Sequence, residues 1–342
     1  MKRWQKTVLS IVLVLGGVLL AGITATIGWR PFVGPRARPL TDRRFDPTPA
    51  RLERGAYIVR NVAVCVFCHS DLDPSIEGLP VRAGMLGAGR PFTAEDMPWL
   101  TAPNITSDQQ TGAGSWTDDA IARAVREGIG HDGRTLFPLM PYLNYRIMSD
   151  EDLASVITYI RSLPAVRKEH PKTAIPFPVS RLINSVPEPI EGTVPEPDLS
   201  TPEKRGQYLV TLASCSDCHT PMHQGDYLPG LEFAGGNAMK HGDARAPRAS
   251  ANLTPSPNGI PYYNEELFLE TMRTGRVRER QLSDVMPWGH YRNMTDQDLK
   301  AVFAYLKTLK PIDHYVDNAV AATACAKCGL PHGGGERNKK ME

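Results

Sequence analysis

The sequence has little net charge and few aromatic residues. Its 39 Lys and Arg residues nearly balance 37 Asp and Glu residues, which leaves a formal charge of +2, and aromatic residues make up 7% of the 342 positions. This composition gives no indication of a nucleic-acid partner or of a long disordered acidic tail. Sustained alternation of apolar and polar residues is also missing, so a sheet-based fold is not expected. A chain of this length can form about two domains, each with its own core.

One long hydrophobic run stands out from this composition. Positions 7–28 contain no charged residue and follow a short basic N-terminus, and their 22 residues can cross a hydrocarbon core of roughly 30 Å as a helix. We expect a transmembrane anchor over residues 1–29. A cleaved signal peptide is the alternative, with small residues at 21–25 as its cleavage site. Positively charged residues favour the cytoplasmic side of a membrane, so five arginines after the run argue against placing the rest of the chain outside the cytoplasm: Arg30, Arg36, Arg38, Arg43 and Arg44.

No cysteine stands outside a pair. All six occur at C-x-x-C spacing, as Cys65 and Cys68, Cys215 and Cys218, and Cys325 and Cys328. In a cytosolic chain such pairs suggest zinc binding or redox exchange. An export signal followed by two pairs that each precede a histidine indicates instead the bacterial periplasm, where haem c is attached. The cysteines outweigh the arginines, so we expect a single N-terminal span in the inner membrane and the rest of the chain on the periplasmic side.

Two of the pairs have the attachment pattern of c-type haem. His69 follows Cys68 directly, and His219 follows Cys218. Two residues between the cysteines allow both sulfurs to form thioethers with the two vinyl groups of one porphyrin, and the adjacent histidine then lies under the iron. The sequence therefore predicts two covalently attached haem c groups, with His69 and His219 as axial ligands.

The segments around these motifs occur twice in the same order, which indicates a duplication. Each copy is expected to contain a first helix before the haem motif and a middle helix, from Thr117 to Gly128 or from Asn264 to Gly275. A final amphipathic helix ends each copy. The matching segments are 54–59 with 205–210, 104–106 with 252–254, 140–142 with 286–288, and 145–153 with 291–299.

The final helix of each copy is specified in detail. Ser149 and Thr295 are N-cap residues, and acidic side chains that suit the positive helix end follow them. Pro164 and Pro311 stop the helices, since proline lacks the N–H donor that a further turn requires. Between these limits apolar residues recur at three- and four-residue steps: Leu153, Val156, Ile157 and Ile160, and Leu299, Val302, Phe303 and Leu306.

A sixth iron ligand is required if each haem is to carry electrons without binding small molecules, and a methionine sulfur raises the reduction potential. We expect Met140 and Met286 in this role, because each precedes a proline in the loop between the middle and final helices. Met148 and Met294 are also repeated. Each of these directly precedes an N-cap residue, where a hydrophobic staple packs it against its own helix.

Other repeated residues are candidates for contacts with the haem. The propionates are carboxylates that need donors when partly buried, and the candidates are Asn104, Thr106, Asn252, Thr254, Arg146 and Arg292. Turn formation explains the Asn and Thr residues equally well. Trp116 and Tyr263 are expected to line the haem pockets.

The third pair, Cys325 and Cys328, is followed by a glycine where a histidine is needed, and too little chain remains for another module. A disulfide is one interpretation. A metal site, for example for zinc, with His332 and also His314 as further ligands, is the other. A haem with an unusual ligand is a third. With a disulfide or a metal, we expect a clip that holds the C-terminal tail and supplies no ligand to either haem iron.

Together these patterns predict an all-α chain with two tandem class I cytochrome c-like domains after the transmembrane helix. The expected order is the anchor (1–29), cytochrome domain 1 (51–165), a Pro-rich linker (166–201), cytochrome domain 2 (202–312) and the Cys-pair tail (313–342). Recurrent prolines exclude a persistent helix or central strand from the linker. Its apolar residues indicate that it packs along the domains.

The duplicated pattern resembles the multi-haem cytochrome c subunits of membrane-bound alcohol and gluconate dehydrogenases, and related di-haem cytochromes. The resemblance covers about 51–311 and depends on C-x-x-C-H, the 104–106 segment, the Met-Pro loop and the start of the final helix. It implies all-α modules, His/Met ligation and electron transfer towards quinone or another cytochrome. This chain departs from those dehydrogenase subunits in having two modules and an N-terminal anchor, where they resemble three modules with a C-terminal anchor.

The expected function is electron transfer, and the chain is not expected to be an enzyme. Candidate partners are the membrane and redox proteins: a dehydrogenase, a quinol-oxidising complex, a reaction centre, an oxidase or a small soluble cytochrome. No nucleic acid is expected. One alternative is a di-haem peroxidase, which needs an iron with an open or releasable position, although both copies retain a methionine. Another is a structural cytochrome subunit of a larger membrane complex.

Overall fold

The computed structural model describes residues 2–92, 97–239 and 248–340, and this part of the chain is rich in helix. The long helix at the N-terminus precedes a series of short helices. They are α1 (Arg3–Ala25), α2 (Arg30–Val33), α3 (Pro49–Tyr57), α4 (Cys65–His69), α5 (Asp118–Glu127), α6 (Tyr142–Tyr145), α7 (Asp150–Ser162), α8 (Val179–Leu182), α9 (Pro202–Leu212), α10 (Cys215–His219), α11 (Glu265–Thr274), α12 (Trp288–Tyr291) and α13 (Asp296–Thr308).

Three irregular helical turns complete this set. A π-helical turn, Ile58–Val62, continues α3, and 3-10 turns occur at Ile183–Ser185 and Gly335–Arg337. Strands of two or three residues pair in antiparallel ladders: β1 (Arg90–Pro91) with β2 (Thr101–Ala102), β3 (Met222–His223) with β4 (Asp226–Tyr227), β5 (Ala238–Met239) with β6 (Arg248–Ala249), β7 (Arg276–Val277) with β8 (Arg280–Gln281), and β9 (Ala322–Ala324) with β10 (Pro331–Gly333). No larger sheet forms in the described ranges.

The repeated sequence gives a repeated order of helices. α3 to α7 follow one another in the first copy as α9 to α13 do in the second. The predicted middle helices are confirmed: Thr117 caps α5 and Asn264 caps α11, and the left-handed glycines Gly128 and Gly275 end them. These signals lie within a few residues of the helix ends, which is why the sequence alone places them.

The predicted starts of the final helices are also confirmed. Ser149 Oγ accepts a hydrogen bond from Asp152 N at 3.1 Å, and Thr295 Oγ1 accepts one from Asp298 N at 3.2 Å. α7 and α13 end shortly before Pro164 and Pro311. The apolar faces of both helices are buried.

The described chain divides into two compact units. Unit 1 consists of 1–43, 117–146 and 174–192, and unit 2 of 44–116, 147–173 and 193–342. Unit 1 contains α1, α2, α5, α6 and α8. Unit 2 contains the other helices and all five ladders. The domain boundaries predicted from the sequence stay a prediction.

An arginine fork fixes the segment after α2 within unit 1. Arg38 donates to both oxygens of Asp119, at 2.7 and 2.8 Å, and its Nε donates to Glu127 at 2.9 Å. Thr41 N also donates to Asp119, at 2.7 Å. Both carboxylates are buried, so the charge of this arginine is compensated by α5.

Close helix crossings organise unit 2. α3 packs on α7, and α9 packs on α13. Gly55 lies against the backbone of Ser155, and Gly206 lies against that of Ala301. A Cβ atom at either glycine would overlap the carbonyl oxygen opposite it, so no larger residue fits these crossings.

The linker contains more helix than the sequence suggests. Prolines are expected to exclude a persistent helix there, and they allow only single turns such as α8, four residues long, which starts directly after Pro178. A proline at the beginning of a helix loses no intrahelical bond, because the first N–H groups have no partner in any case. Residues 166–173 contact the rest of unit 2 through polar groups, since Lys168 Nζ lies 2.9 Å from Asp71 and Thr173 bonds to Thr101. Packing through the apolar residues of the linker is found at Ile183, which is buried, and not at Phe177 or Leu182, which are exposed.

α1 is long and apolar enough to cross a membrane by length and composition, with a mean hydropathy of 2.5. A signal sequence at the N-terminus satisfies the same criteria. Trp29 and Phe32 lie just after it, with ring centroids 6.1 Å apart, and both rings are exposed.

Candidate haem sites and a cysteine–histidine cluster

The two C-x-x-C-H motifs form one-turn helices, α4 and α10, in unit 2. The residue before each helix, Val64 or Ser214, has a positive φ of 41° or 53°, which turns the chain sharply out of the first helix. All four cysteine side chains are half-buried and not disulfide-bonded. Each motif therefore presents two unbonded sulfurs and a histidine from a single turn.

The two motif histidines are held by equivalent hydrogen bonds. His69 Nδ1 lies 2.8 Å from the carbonyl oxygen of Pro103, and His219 Nδ1 lies 2.7 Å from that of Ala251. A carbonyl oxygen only accepts, so Nδ1 carries the proton and Nε2 keeps its lone pair. Burial lowers the pKa of both imidazoles, which favours the neutral form that an iron ligand requires.

An arginine beside the first motif suits a carboxylate-bearing cofactor. Arg90 lies over the rings of Phe67 and Phe92, 5.6 and 5.3 Å from their centroids, and donates to the carbonyl oxygen of Phe67 at 3.0 Å. Its buried Nε has no hydrogen-bonding partner among the described residues. Desolvation lowers its pKa. Haem propionates would satisfy such a donor, so sulfurs, histidine and arginine together fit haem c.

The candidate sixth ligands lie in matching turns. Met140 N donates to Phe137 O and Met286 N donates to Ser283 O, both at 3.1 Å. The following prolines have φ/ψ of −82°/50° and −77°/46°, close to an inverse γ-turn. Both methionines are half-buried. Met140 belongs to unit 1 and Met286 to unit 2, and ligation of the irons by them stays a prediction.

The competing methionines have a different environment. Met148 is 1% exposed and Met294 3% exposed, next to the N-caps of α7 and α13. Burial of this kind is what a hydrophobic staple requires.

The repeated Asn and Thr residues form turns. Asn104 Oδ1 accepts from Thr106 N, and Asn252 Oδ1 accepts from Thr254 N, both at 2.9 Å. Their amide nitrogens donate to carbonyl oxygens of the segment after the final helix: Val166 in the first copy, Ile312 and His314 in the second. Turn formation therefore accounts for all four residues without the propionates.

The two copies meet through buried polar groups that the sequence did not predict. Tyr208 of the second copy donates to Asp152 of the first at 2.8 Å, and Tyr57 of the first donates to Asp298 of the second. Each aspartate also pairs with the arginine of its own copy, Arg54 or Arg205. The sequence features that could have indicated these contacts are the repeated R-G-x-Y segment and the repeated aspartate after the N-cap.

The first haem motif and the loop after it also contact the segment on either side of Met286. The rings of Phe67 and His290 meet edge to face, with centroids 5.6 Å apart. Gly78 N donates to Asp284 Oδ1 at 3.0 Å. Burial raises the pKa of Cys218 to about 11, with smaller contributions from Asp217 and from Cys68 of the other motif. The two candidate haem sites are therefore neighbours within unit 2.

The third cysteine pair is part of a four-residue cluster. Cys325, Cys328 and His332 come together with His314, which the sequence analysis names as a further candidate ligand. Their ligand atoms all lie within 4.8 Å of one another, and all four side chains are buried. The cysteines are not bonded to each other. Burial lowers the pKa of His314 to about 4, so its imidazole is neutral at neutral pH.

Comparison with known proteins identifies the class of this chain. Residues 203–310 match the family model for cytochrome c. The chain therefore contains a cytochrome c domain, which lies in unit 2.

Three relatives show which kinds of protein the chain is similar to. The chain is 29% identical to a subunit of the nicotinate dehydrogenase of Pseudomonas putida, over 86% of this chain and 24% of the relative. It is 27% identical to the cytochrome c subunit of the quinone alcohol dehydrogenase of Gluconobacter oxydans, over 78% and 56%. It is 28% identical to a di-haem c-type cytochrome of Cereibacter sphaeroides, over 73% and 83%.

The predicted resemblance to dehydrogenase cytochrome c subunits and to di-haem cytochromes is thus confirmed. The chain spans about a quarter of the first of these relatives and about half of the second. Cytochrome c subunits carry electrons and are not the catalytic subunits of such enzymes, which agrees with the expectation of an electron carrier.

Proposed function

We propose that this protein is a membrane-anchored di-haem cytochrome c that transfers electrons between redox proteins of a respiratory or photosynthetic chain. The observation that carries the proposal is the same arrangement in both copies: C-x-x-C-H on a one-turn helix, with the histidine Nδ1 held by a backbone carbonyl at 2.8 or 2.7 Å. Haem c bound there supplies reversible one-electron exchange at its iron.

Each haem would be held by residues of one copy. Cys65 and Cys68, or Cys215 and Cys218, would form the thioethers, and His69 or His219 would bind the iron through Nε2. Met140 and Met286 would be the sixth ligands. The domains that carry these sites are 51–165 and 202–312, joined by the linker 166–201.

The contacts between the copies favour transfer from one haem to the other. Phe67 lies between the cysteines of the first motif, and its ring meets His290 of the second copy. The buried Tyr208 to Asp152 bond joins α9 of the second copy to α7 of the first within unit 2. Because the rate of electron transfer depends on the distance between two redox centres, contacts that hold the two haem motifs together support electron transfer from one haem to the other.

The proposed location is supported by α1 and by the chemistry of haem attachment. α1 would serve as a single anchor in the bacterial inner membrane, with both haem domains in the periplasm. Arg38 counts little against this orientation, because Asp119 and Glu127 compensate its charge. A dehydrogenase is the favoured donor, since relatives carry the names of dehydrogenase subunits.

A spectroelectrochemical titration of the purified full chain tests the carrier function. We expect two one-electron components, neither of which binds carbon monoxide, and no turnover of hydrogen peroxide with a reduced dye. Peroxide turnover, or one haem that binds carbon monoxide in the native protein, would favour a di-haem peroxidase. Identification of the proteins that co-purify in mild detergent would name the partner and separate a free carrier from a subunit of a larger complex.

A reporter fusion tests the location independently. Alkaline phosphatase joined after residue 340 folds only in the periplasm, so we expect an active fusion that remains in the membrane fraction. A soluble active fusion would mean that α1 is a cleaved signal peptide.

A further inference from the structure

We propose that His314, Cys325, Cys328 and His332 bind one zinc ion that holds the C-terminal tail in a fixed fold against the loop behind the second haem motif. Tetrahedral zinc with sulfur and nitrogen ligands places neighbouring ligand atoms about 3.3–3.8 Å apart. His314 Nε2 lies 3.4 Å from Cys325 Sγ and 3.2 Å from His332 Nε2. The spacing of these atoms is that of the edges of such a tetrahedron.

The donor set selects zinc and a structural role. Two thiolates and two imidazoles suit zinc, whereas calcium and magnesium require oxygen ligands. All four side chains are buried, so no position is left for a substrate or an exchangeable water. A closed set of four protein ligands is typical of a site that holds a fold together.

The surroundings orient the ligands towards a common centre. His314 Nδ1 donates to Ala234 O at 2.9 Å, so its Nε2 is the nitrogen available to a metal. Cys328 N donates to Cys325 Sγ at 3.4 Å. The hairpin of β9 and β10 brings the cysteine pair and His332 together. Gly236 leaves room for the histidines, since a Cβ there would come within 2.8 Å of His314 Cε1.

The first copy provides an internal comparison that lacks the third cysteine pair. There His170 Nε2 lies 2.8 Å from Ala88 O, and in the second copy His314 Nδ1 lies 2.9 Å from Ala234 O. Each of these alanines precedes a glycine that donates to the carbonyl oxygen of the motif histidine, Gly89 to His69 and Gly235 to His219. A histidine can therefore pack on this loop without a metal. What distinguishes His314 is a second ring nitrogen that faces a sulfur and another imidazole.

The site is linked to the second haem motif through a short backbone path. Asn252 Nδ2 donates to His314 O at 3.0 Å, and the neighbouring Ala251 supplies the carbonyl that holds His219. The cysteines of the second motif still hold the cofactor covalently, so loss of zinc is expected to free the tail and leave haem content unchanged.

Elemental analysis of the full chain, expressed per protein molecule, tests the site without reference to the haem count. We expect about one zinc per chain in the wild type, and a zinc-edge absorption spectrum with two sulfur and two nitrogen neighbours. His314→Gln should lose the zinc and become sensitive to proteases after Pro311, and zinc should not restore it. The matched variant His170→Gln should keep both zinc and resistance.

Thiol counting on wild-type protein keeps the proposal testable if variants fail to fold. After denaturation with a chelator and without reductant, we expect alkylation at both Cys325 and Cys328, identified by peptide mapping, whatever the state of the four cysteines in the haem motifs. Absence of alkylation at these two positions means a disulfide and overturns the proposal. So does the presence of another metal at the site, or equal zinc in the wild type and in a Cys325→Ser, Cys328→Ser double variant.

Discussion

Tyr208 donates a buried hydrogen bond to Asp152 at 2.8 Å, across the boundary between the two sequence copies. Its repeat counterpart Tyr57 donates to Asp298 in the opposite direction. Each tyrosine oxygen also accepts a hydrogen bond from the backbone N–H of the N-cap residue of the same helix as its aspartate, Ser149 or Thr295. The duplication thus produces a reciprocal joint, in which each copy completes the start of the final helix of the other.

Removal of one tyrosine hydroxyl should weaken this joint. In Tyr208→Phe, Asp152 keeps Arg54 and loses a buried donor, so we expect the free energy of unfolding to fall by about 1–3 kcal/mol. Denaturant titration followed by tryptophan fluorescence or by the haem spectrum measures it. Tyr159→Phe is the control, because it removes a tyrosine hydroxyl from α7 outside the Tyr208 and Asp152 contact. Equal stability of the two variants would show that the joint contributes nothing.

The helix caps could be predicted from the sequence, whereas the contacts between the two copies could not. Thr117, Asn264, Ser149 and Thr295 were placed correctly, because a helix cap depends on residues within one turn. The same aspartate that the sequence marks as favourable at a helix start turned out to bind a tyrosine of the other copy. That contact depends on how two packed copies face each other, which local patterns do not determine.

The cysteine sites show the same limit. Cys325, Cys328, His332 and His314 are the candidate ligands in the sequence, which leaves a disulfide and a metal as alternatives because it does not give the distances between their ligand atoms. The one-turn helix α8 depends on the position of Pro178 at its start, which the number of prolines in the linker does not indicate.

The glycine of the repeated R-G-x-Y segment should tolerate no side chain. Gly206→Ala places a methyl group on the carbonyl oxygen of Ala301, so we expect a loss of about 1–3 kcal/mol as α9 and α13 are pushed apart. Thermal unfolding monitored by circular dichroism gives the measurement. Gln207→Ala, at the adjacent exposed position, should be close to neutral. A neutral Gly206→Ala would contradict the close crossing.

The proposed axial methionines should control potential but not attachment. Met286→Ala or Met140→Ala should retain covalent haem, open that iron to carbon monoxide, and lower its potential by on the order of 100 mV, part of the about 0.8 V over which axial ligands act. Met294→Leu and Met148→Leu are the controls, since burial beside an N-cap needs only an apolar side chain. If the control variants bind carbon monoxide and the others do not, the ligand assignment is wrong.

The arginine fork of unit 1 should be essential to the stability of that unit. Arg38→Ala leaves Asp119 and Glu127 buried without their cation, and we expect a cost of about 3–5 kcal/mol. Arg36→Ala, at an exposed position, serves as the control. Local opening measured by hydrogen exchange of α5 should increase only in the first variant.

The same fork predicts a dependence on pH. Burial alone would raise the pKa of Asp119, but bonds from Arg38 and Thr41 outweigh it and the pKa is lowered in the folded protein. A carboxyl group with a lowered folded pKa stabilises above its unfolded value and loses that contribution as the pH falls. The free energy of local opening of α5, obtained from exchange rates divided by the intrinsic rate at each pH, should therefore fall below about pH 4 in the wild type and depend less on pH in Arg38→Ala.

The haem content of the purified chain tests the central claim most directly. Pyridine haemochrome absorbance against protein mass should give two haem c groups per chain, because Cys65, Cys68 and His69, and Cys215, Cys218 and His219, form two complete motifs while the third pair lacks its histidine. A Cys65→Ser, Cys68→Ser variant should fall to one, and a Cys325→Ser, Cys328→Ser variant should remain at two. A wild-type content of one or of three haems would contradict the account.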